Sequence, residues 1–179
     1  MPSNIEIKAK VRDPASIRDV ATAIADEQQL IRQEDTFFAT KRGRLKLREF
    51  SPDNGELIYY ERPDAAGPTE SRYRISKTSD PNGLRATLAA ALGTDGVVRK
   101  VRHLFLVGQT RIHLDEVDGL GHFVELEVVL QHGQEAEDGA KVADDLMIQL
   151  GIRKGDLIKK AYVDLLKEQE ANKSLRTTV

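Results

Sequence analysis

Several stretches of the chain place ionisable side chains two residues apart, the spacing that puts them on one face of a β-strand. In NIEIKAKV, residues 4–11, Asn4, Glu6, Lys8 and Lys10 share one face, opposite Ile5, Ile7, Ala9 and Val11. RLKLREF, residues 44–50, groups Arg44, Lys46 and Arg48, and SRYRISK, residues 71–77, groups Arg72 and Arg74 opposite Tyr73 and Ile75. TRIHLDEV, residues 110–117, groups Arg111, His113 and Asp115; HFVELEVVL, residues 122–130, groups Glu125 and Glu127. Bases dominate some rows, while carboxylates gather at Glu6, Asp115, Glu125 and Glu127. Carboxylate oxygens are preferred ligands of Mg²⁺ and Mn²⁺. Arginine offers a planar fork that matches phosphate oxygens. Acids beside bases therefore fit a polyanion accompanied by divalent cations, and the charge that develops in phosphoryl transfer.

These rows need a scaffold. An open sheet with one wet face would also display charges. On that reading Glu6 and Lys8 are an exposed pair of little energetic worth, and Arg48 and Arg102 are structural salt-bridge partners. If the sheet instead curls into a barrel, helices must cover its apolar outside and the charges point inward. A lumen of unpaired charges is too costly to desolvate, so it must be wet or occupied.

The remaining elements fit such a scaffold. Asp13-Pro14 and Asp80-Pro81 each read as an N-cap followed by proline at the first helical position. Ile17, Val20, Ala21 and Ile24 follow the first, and Leu84, Leu88, Ala91 and Leu92 the second, with Gly93 as a stop. This repetition hints at a two-fold internal design. Further strands are predicted at 33–40, 56–62 and 97–107, and further helices near 135–150 and from 156 to about 173. Eight strands joined mainly by short turns, with helices inserted, give an α+β antiparallel fold.

Composition limits the chemistry. The chain has 179 residues and no cysteine, which excludes disulfides, thiol nucleophiles and Cys-ligated zinc. Its 27 basic and 29 acidic residues nearly cancel, so global charge predicts neither nucleic-acid nor membrane binding. The start lacks a signal-peptide pattern and nowhere do 18 apolar residues run together, so the expected location is cytoplasmic.

On these residues the sequence resembles the CYTH family, the triphosphate tunnel metalloenzymes, from residue 4 to about 166. The family's E-x-E-x-K strand is matched by Asn4-x-Glu6-x-Lys8. Its L-x-L-R strand is matched by Leu45 to Arg48, and a K-x-R by Lys100 and Arg102. IHLDEVDGLGHFVELE, residues 112–127, is the most specific stretch, and AYVDLL, residues 161–166, resembles the closing Y-x-x-L-L.

The resemblance implies an eight-stranded antiparallel closed barrel with a charged lumen and helices packed outside. It implies one domain over 1–170, followed by a flexible tail at 171–179. Glu6, Glu125 and Glu127 would hold Mg²⁺ or Mn²⁺, with Asp115 as a further ligand or an orienter of water. Lys8, Lys46, Arg48 and Arg102, with Lys100, would grip the phosphates. Strand parity adds Arg72, Arg74, Arg111 and His113. The implied activity is metal-dependent hydrolysis of inorganic triphosphate, thiamine triphosphate or a related triphosphate, with Glu6, Lys8 and Asp115 as catalytic residues.

Two alternatives stay open. FLVGQTRIHLDEVDGLG also resembles the layout of class IV-type adenylate cyclases, and a non-catalytic polyphosphate- or nucleotide-binding module is the third reading. The expected partner is a small-molecule triphosphate, bound by a monomer or homodimer. Two departures stand out. Asn4 replaces a glutamate, leaving a weaker, neutral ligand. Glu61-Arg62-Pro63 stands where the family has a lysine, so an acid occupies the place of a base unless Arg62 or a shifted register restores it.

Overall fold

The computed structural model describes residues 1–177. In chain order the elements are β1 (Ser3–Lys10), α1 (Pro14–Ile24), β2 (Glu27–Phe38), β3 (Arg44–Ser51), β4 (Asn54–Glu61) and β5 (Thr69–Thr78). There follow α2 (Pro81–Leu92), β6 (Thr94–Val107), β7 (Thr110–Val117), β8 (Gly121–Val129), α3 (Ala136–Gln149), a 3-10 turn (Lys154–Asp156) and α4 (Tyr162–Thr177). The strands form a closed antiparallel barrel in the order β1-β5-β4-β3-β2-β6-β7-β8. β1 closes it by pairing with β8 on one side and β5 on the other. No helix of the described residues is long and apolar enough to cross a membrane.

Local chemistry sets the helix starts. The Asp13 carboxylate accepts from the Ser16 amide at 3.2 Å, and the Asp80 carboxylate from the Gly83 amide at 2.9 Å. Each satisfies an amide that the first helical turn leaves without a partner. Helices α1 and α3 cover the outer faces of β1, β7 and β8. There Ile5, Ile7, Ala9, Ile112, Leu114, Val124, Leu126 and Val128 pack against Ile17, Ala21, Ala143 and Leu146. With its apolar positions drawn outward, this wall must send its charged positions into the lumen.

Three boundaries differ from the sequence pattern. β2 starts at Glu27 rather than residue 33, because β6 pairs with it from Glu27↔Leu106 onward although EQQLIR shows no alternation. β6 correspondingly starts at Thr94. Leu157 is bridged to Ala9 and the Ile158 amide donates to the Lys8 carbonyl, which ties this stretch to β1, and the last helix begins at Tyr162 rather than 156. It continues through 171–177, a stretch expected as tail; Thr178 and Val179 lie outside the described residues.

A second apolar cluster closes one end of the barrel. Ala161, Tyr162 and Val163 insert among Phe37, Val98, Val117 and Phe123. Gly96, at φ 133°, lies opposite Phe37 beside an irregularity in the β2–β6 ladder. A Cβ there would stand 2.6 Å from Val163 Cγ2, so only glycine lets α4 come this close.

Candidate active site in the barrel lumen

The lumen is a blind, charged cavity of about 290 Å³. Seven bases and five carboxylates of the described residues line it. Their rows follow from strand register. Across β1, β8 and β7, one rung carries Glu6, Glu127 and Arg111, and the next carries Lys8, Glu125 and His113. β6 supplies Lys100 and Arg102, β3 supplies Lys46 and Arg48, and β2 supplies Gln33 and Asp35.

The acidic side centres on β8. Glu125 bonds Lys8 at 3.1 Å and Arg102 at 2.8 Å, and Glu127 bonds Arg111 at 2.9 Å. His113 places Nδ1 3.6 Å from Glu125 and 3.7 Å from Glu127. Burial opposes ionisation of Glu125, but Lys8 and Lys100 hold it well below the usual carboxylate range. At Glu127, burial is outweighed by His113, Arg111 and Arg102, and the pKa falls to about 2. Burial, then Arg102, pushes the His113 pKa down, while Glu127 and Glu125 oppose that shift.

Two observations show that this side fits a cation. His113 Nδ1 is buried with no hydrogen-bond partner. Glu6 faces Glu127 directly across the β1–β8 rung, a like-charge pairing that is unfavourable by itself. Burial and the Glu127 charge raise the Glu6 pKa, although Arg62 donates to it at 3.0 Å. One ligand atom from each of His113, Glu125 and Glu127 falls within 4.8 Å of the others, a set able to chelate a divalent ion.

Asp115 takes a different place from the one expected. It accepts from Lys100 at 2.9 Å, from Arg102 at 2.7 Å through each oxygen, and from the Tyr162 hydroxyl at 3.1 Å. The residue is fully buried and each oxygen accepts from a base, so it anchors Lys100 and Arg102. Burial works against its charge, but Arg102 and Lys100 hold the pKa far below normal. Lys8 is anchored likewise: its ammonium donates to the Lys160 carbonyl at 3.3 Å and sits 4.1 Å from the Tyr162 ring centroid.

Opposite lies a basic side with its own acid. Asp35 accepts from Lys46 at 2.9 Å and from Arg48 at 2.8 and 3.0 Å. Burial is outweighed by Arg48 and Lys46, which hold Asp35 well below its ordinary value. Burial in turn lowers Lys46 to about 8 despite Asp35.

The register also corrects β5. Ser71, Tyr73 and Ile75 face the lumen, whereas Arg72 and Arg74 are exposed outside, Arg72 paired with Glu70. No apolar layer buries the outer face of β5 there, so its charges take the solvent side. Asp35 and Tyr162 are site residues that the sequence reading lacks, and Arg62 is the one it offers as a replacement for the missing base. Asp35 shares parity with Phe37 and Gln33, and Arg62 continues the inward row of Ile58 and Tyr60. Glu61 points outward to Tyr59, so Arg62 supplies the base that Glu61 does not.

Comparison with known proteins agrees with this geometry. The family model described as "CYTH domain" matches residues 3–162. A Methanocaldococcus jannaschii protein named "Putative adenylate cyclase" is 27% identical over 124 residues, 68% of this chain and 69% of its own. Among solved structures, a Pyrococcus horikoshii protein superposes with a TM-score of 0.80 at 23% identity, covering 90% of this chain and 98% of that one. A Vibrio parahaemolyticus protein, described as a "putative adenylate cyclase", gives 0.74 at 22% identity over 92% and 97% of the two chains.

Proposed function

The chain belongs to the CYTH domain family, and from that premise we propose that it is a divalent-metal-dependent hydrolase of the phosphoanhydride bonds of a triphosphate. The observation that carries this reading is the pairing of opposite chemistries in one blind lumen. A cluster able to hold a cation, His113, Glu125 and Glu127, faces the bases Lys46 and Arg48. Bases exceed acids only slightly, so a triphosphate brings more negative charge than the lumen alone balances, and a co-bound cation makes up the difference.

His113, Glu125 and Glu127 would hold that ion. The imidazole nitrogen favours Mn²⁺ over Mg²⁺, which prefers an all-oxygen set. When bound, the ion polarises phosphoryl oxygens and screens the charge of the chain. Lys46, Arg48, Lys100 and Arg102 orient the phosphates and stabilise charge that grows on the transferred group. Lys8 compensates the leaving side. Glu6 has an oxygen not taken by Arg62 and a raised pKa, which suit it to accept a proton from the attacking water. Asp115 holds Lys100 and Arg102 in place.

The names of the relatives favour a second reading, cyclisation of ATP to cyclic AMP and pyrophosphate. Incubation with ATP, inorganic triphosphate and thiamine triphosphate, each with Mg²⁺ or Mn²⁺, separates the readings by product. Orthophosphate is expected. Cyclic AMP would replace the hydrolase with a cyclase, and tight binding without turnover would reduce the protein to a binding module.

A further inference from the structure

The lumen changes character along its length. Towards its sealed end Lys8, Asp35, Lys46, Lys100 and Arg62 share the wall with Phe37, Tyr60 and Tyr162, so apolar side chains there lie among charges. Its open end is two-faced: Ile31, Phe50, Ile58, Tyr73, Ile75 and Leu104 form an apolar arc over the adjacent strands β5, β4, β3, β2 and β6. Most of these side chains are half-buried, and Ile75 is 49% exposed. Facing the arc, Arg111 is neutralised by Glu127. Glu56 is the acid at the rim of β4, and it repels any additional anionic group at the mouth.

At the inner edge of the arc, Asn4 and Ser71 sit directly opposite each other on β1 and β5. Both are buried, and neither Asn4 Oδ1 nor Ser71 Oγ has a hydrogen-bond partner. Bare triphosphate has no surface to cover the apolar arc and needs no neutral polar pair at its end.

We propose that the substrate is an organic triphosphate with a flat apolar or aromatic group that bears no negative charge. Its phosphates enter first, its organic group rests on the arc, and a hydroxyl or amino group near the junction meets Asn4 and Ser71. This rests on the triphosphatase reading and narrows it to organic esters over inorganic triphosphate. An aromatic face against this arc excludes water from both surfaces, and losing one such contact is worth about tenfold in discrimination.

The test compares kcat/KM for ATP, thiamine triphosphate and inorganic triphosphate with Mn²⁺, in the wild type and in Ile75→Asn and Leu104→Asn. At least one organic substrate should exceed inorganic triphosphate by about tenfold or more, and each variant should lower that ratio about tenfold. Equal or better use of inorganic triphosphate, or a ratio unmoved by both variants, overturns the proposal. Titration calorimetry of the same three compounds keeps the two readings separable. If none is turned over, hydrolysis is wrong, and a tenfold binding preference for an organic triphosphate still supports the arc while equal affinities sink it. Circular dichroism of both variants confirms that any change is not unfolding.

Discussion

Asp35 and Asp115 build the same device twice. Each lies on one strand of a hairpin-like pair and holds a lysine and an arginine two residues apart on the other: Asp35 with Lys46 and Arg48, Asp115 with Lys100 and Arg102. In both the aspartate is the register partner of the arginine. Their surroundings differ. Asp115 is roofed by the Tyr162 hydroxyl, and Arg102 has a second acid in Glu125. Asp35 alone serves its two bases, whose side chains remain 14% and 15% exposed to the cavity. One cradle is balanced by acids and fastened to the seal of the barrel. The other keeps surplus positive charge facing open space, and that surplus is what a phosphate would meet.

The largest effects should separate these two cradles. Asp115→Asn strips a buried lysine and arginine of their shared carboxylate, and should cost about 3–5 kcal/mol in chemical denaturation. Asp35→Asn should cost less, and added inorganic triphosphate should restore its stability by replacing the lost carboxylate. The same addition should leave Asp115→Asn deficient. Equal rescue of both would erase the distinction between a strut and a receptor.

Next comes the acidic wall. Glu127→Gln and Glu125→Gln should each lower turnover by about 100-fold or more with the circular dichroism spectrum unchanged. Both should weaken Mn²⁺ binding measured by calorimetry. Glu6→Gln should lower turnover similarly while Mn²⁺ affinity holds within a few-fold, because its proposed task is to receive a proton. If Mn²⁺ affinity falls as far in Glu6→Gln as in Glu127→Gln, Glu6 is a ligand instead.

How much of this was legible in the sequence follows from the same contrast. Alternation in residues 4–11, 110–117 and 122–130 identified the acidic wall, because those strands pack a continuous apolar face beneath α1 and α3. Alternation assigns residues to a face without saying which face turns inward. On β5 the side opposite the arginines carries Tyr73 and Ile75, and it is this apolar side that lines the lumen. The arginines of SRYRISK were therefore grouped correctly and sent the wrong way. Asp35 was hidden because residues 33–40 were read as a strand without assigning its faces. The occupied state of Asp115 depends on Tyr162, brought across from a distant helix, and no local spacing encodes that.

A smaller, pH-dependent effect should appear on the receptor side. Lys46 is held at about 8, below its unfolded value of about 10.4. Between those values the unfolded chain carries a proton that the folded chain lacks, so this group makes stability rise with pH through that window. Polyanion affinity should move the opposite way, weakening by up to about tenfold as pH rises from 7 to 9.5 and Lys46 loses its charge. Calorimetry at pH 9 in buffers of different ionisation enthalpy should register proton uptake on binding, and Lys46→Arg should abolish it.

The smallest expected effect tests the register itself. Arg72 and Arg74 stand outside the barrel, and Arg72 pairs with the half-buried Glu70. Such a surface pair contributes at most about 1 kcal/mol. The double variant Arg72→Ala, Arg74→Ala should therefore change kcat/KM for any accepted triphosphate less than about twofold, since solvent and salt screen charges beyond the wall. The inward neighbour Tyr73 sits one residue away on the same strand, so Tyr73→Ala is the matched control and should alter substrate preference. A one-residue slip of β5 would exchange these outcomes, because every side chain of the strand would then face the other way. Loss of activity in the arginine variant, with Tyr73→Ala silent, would require that slip and would redraw the mouth of the tunnel with it.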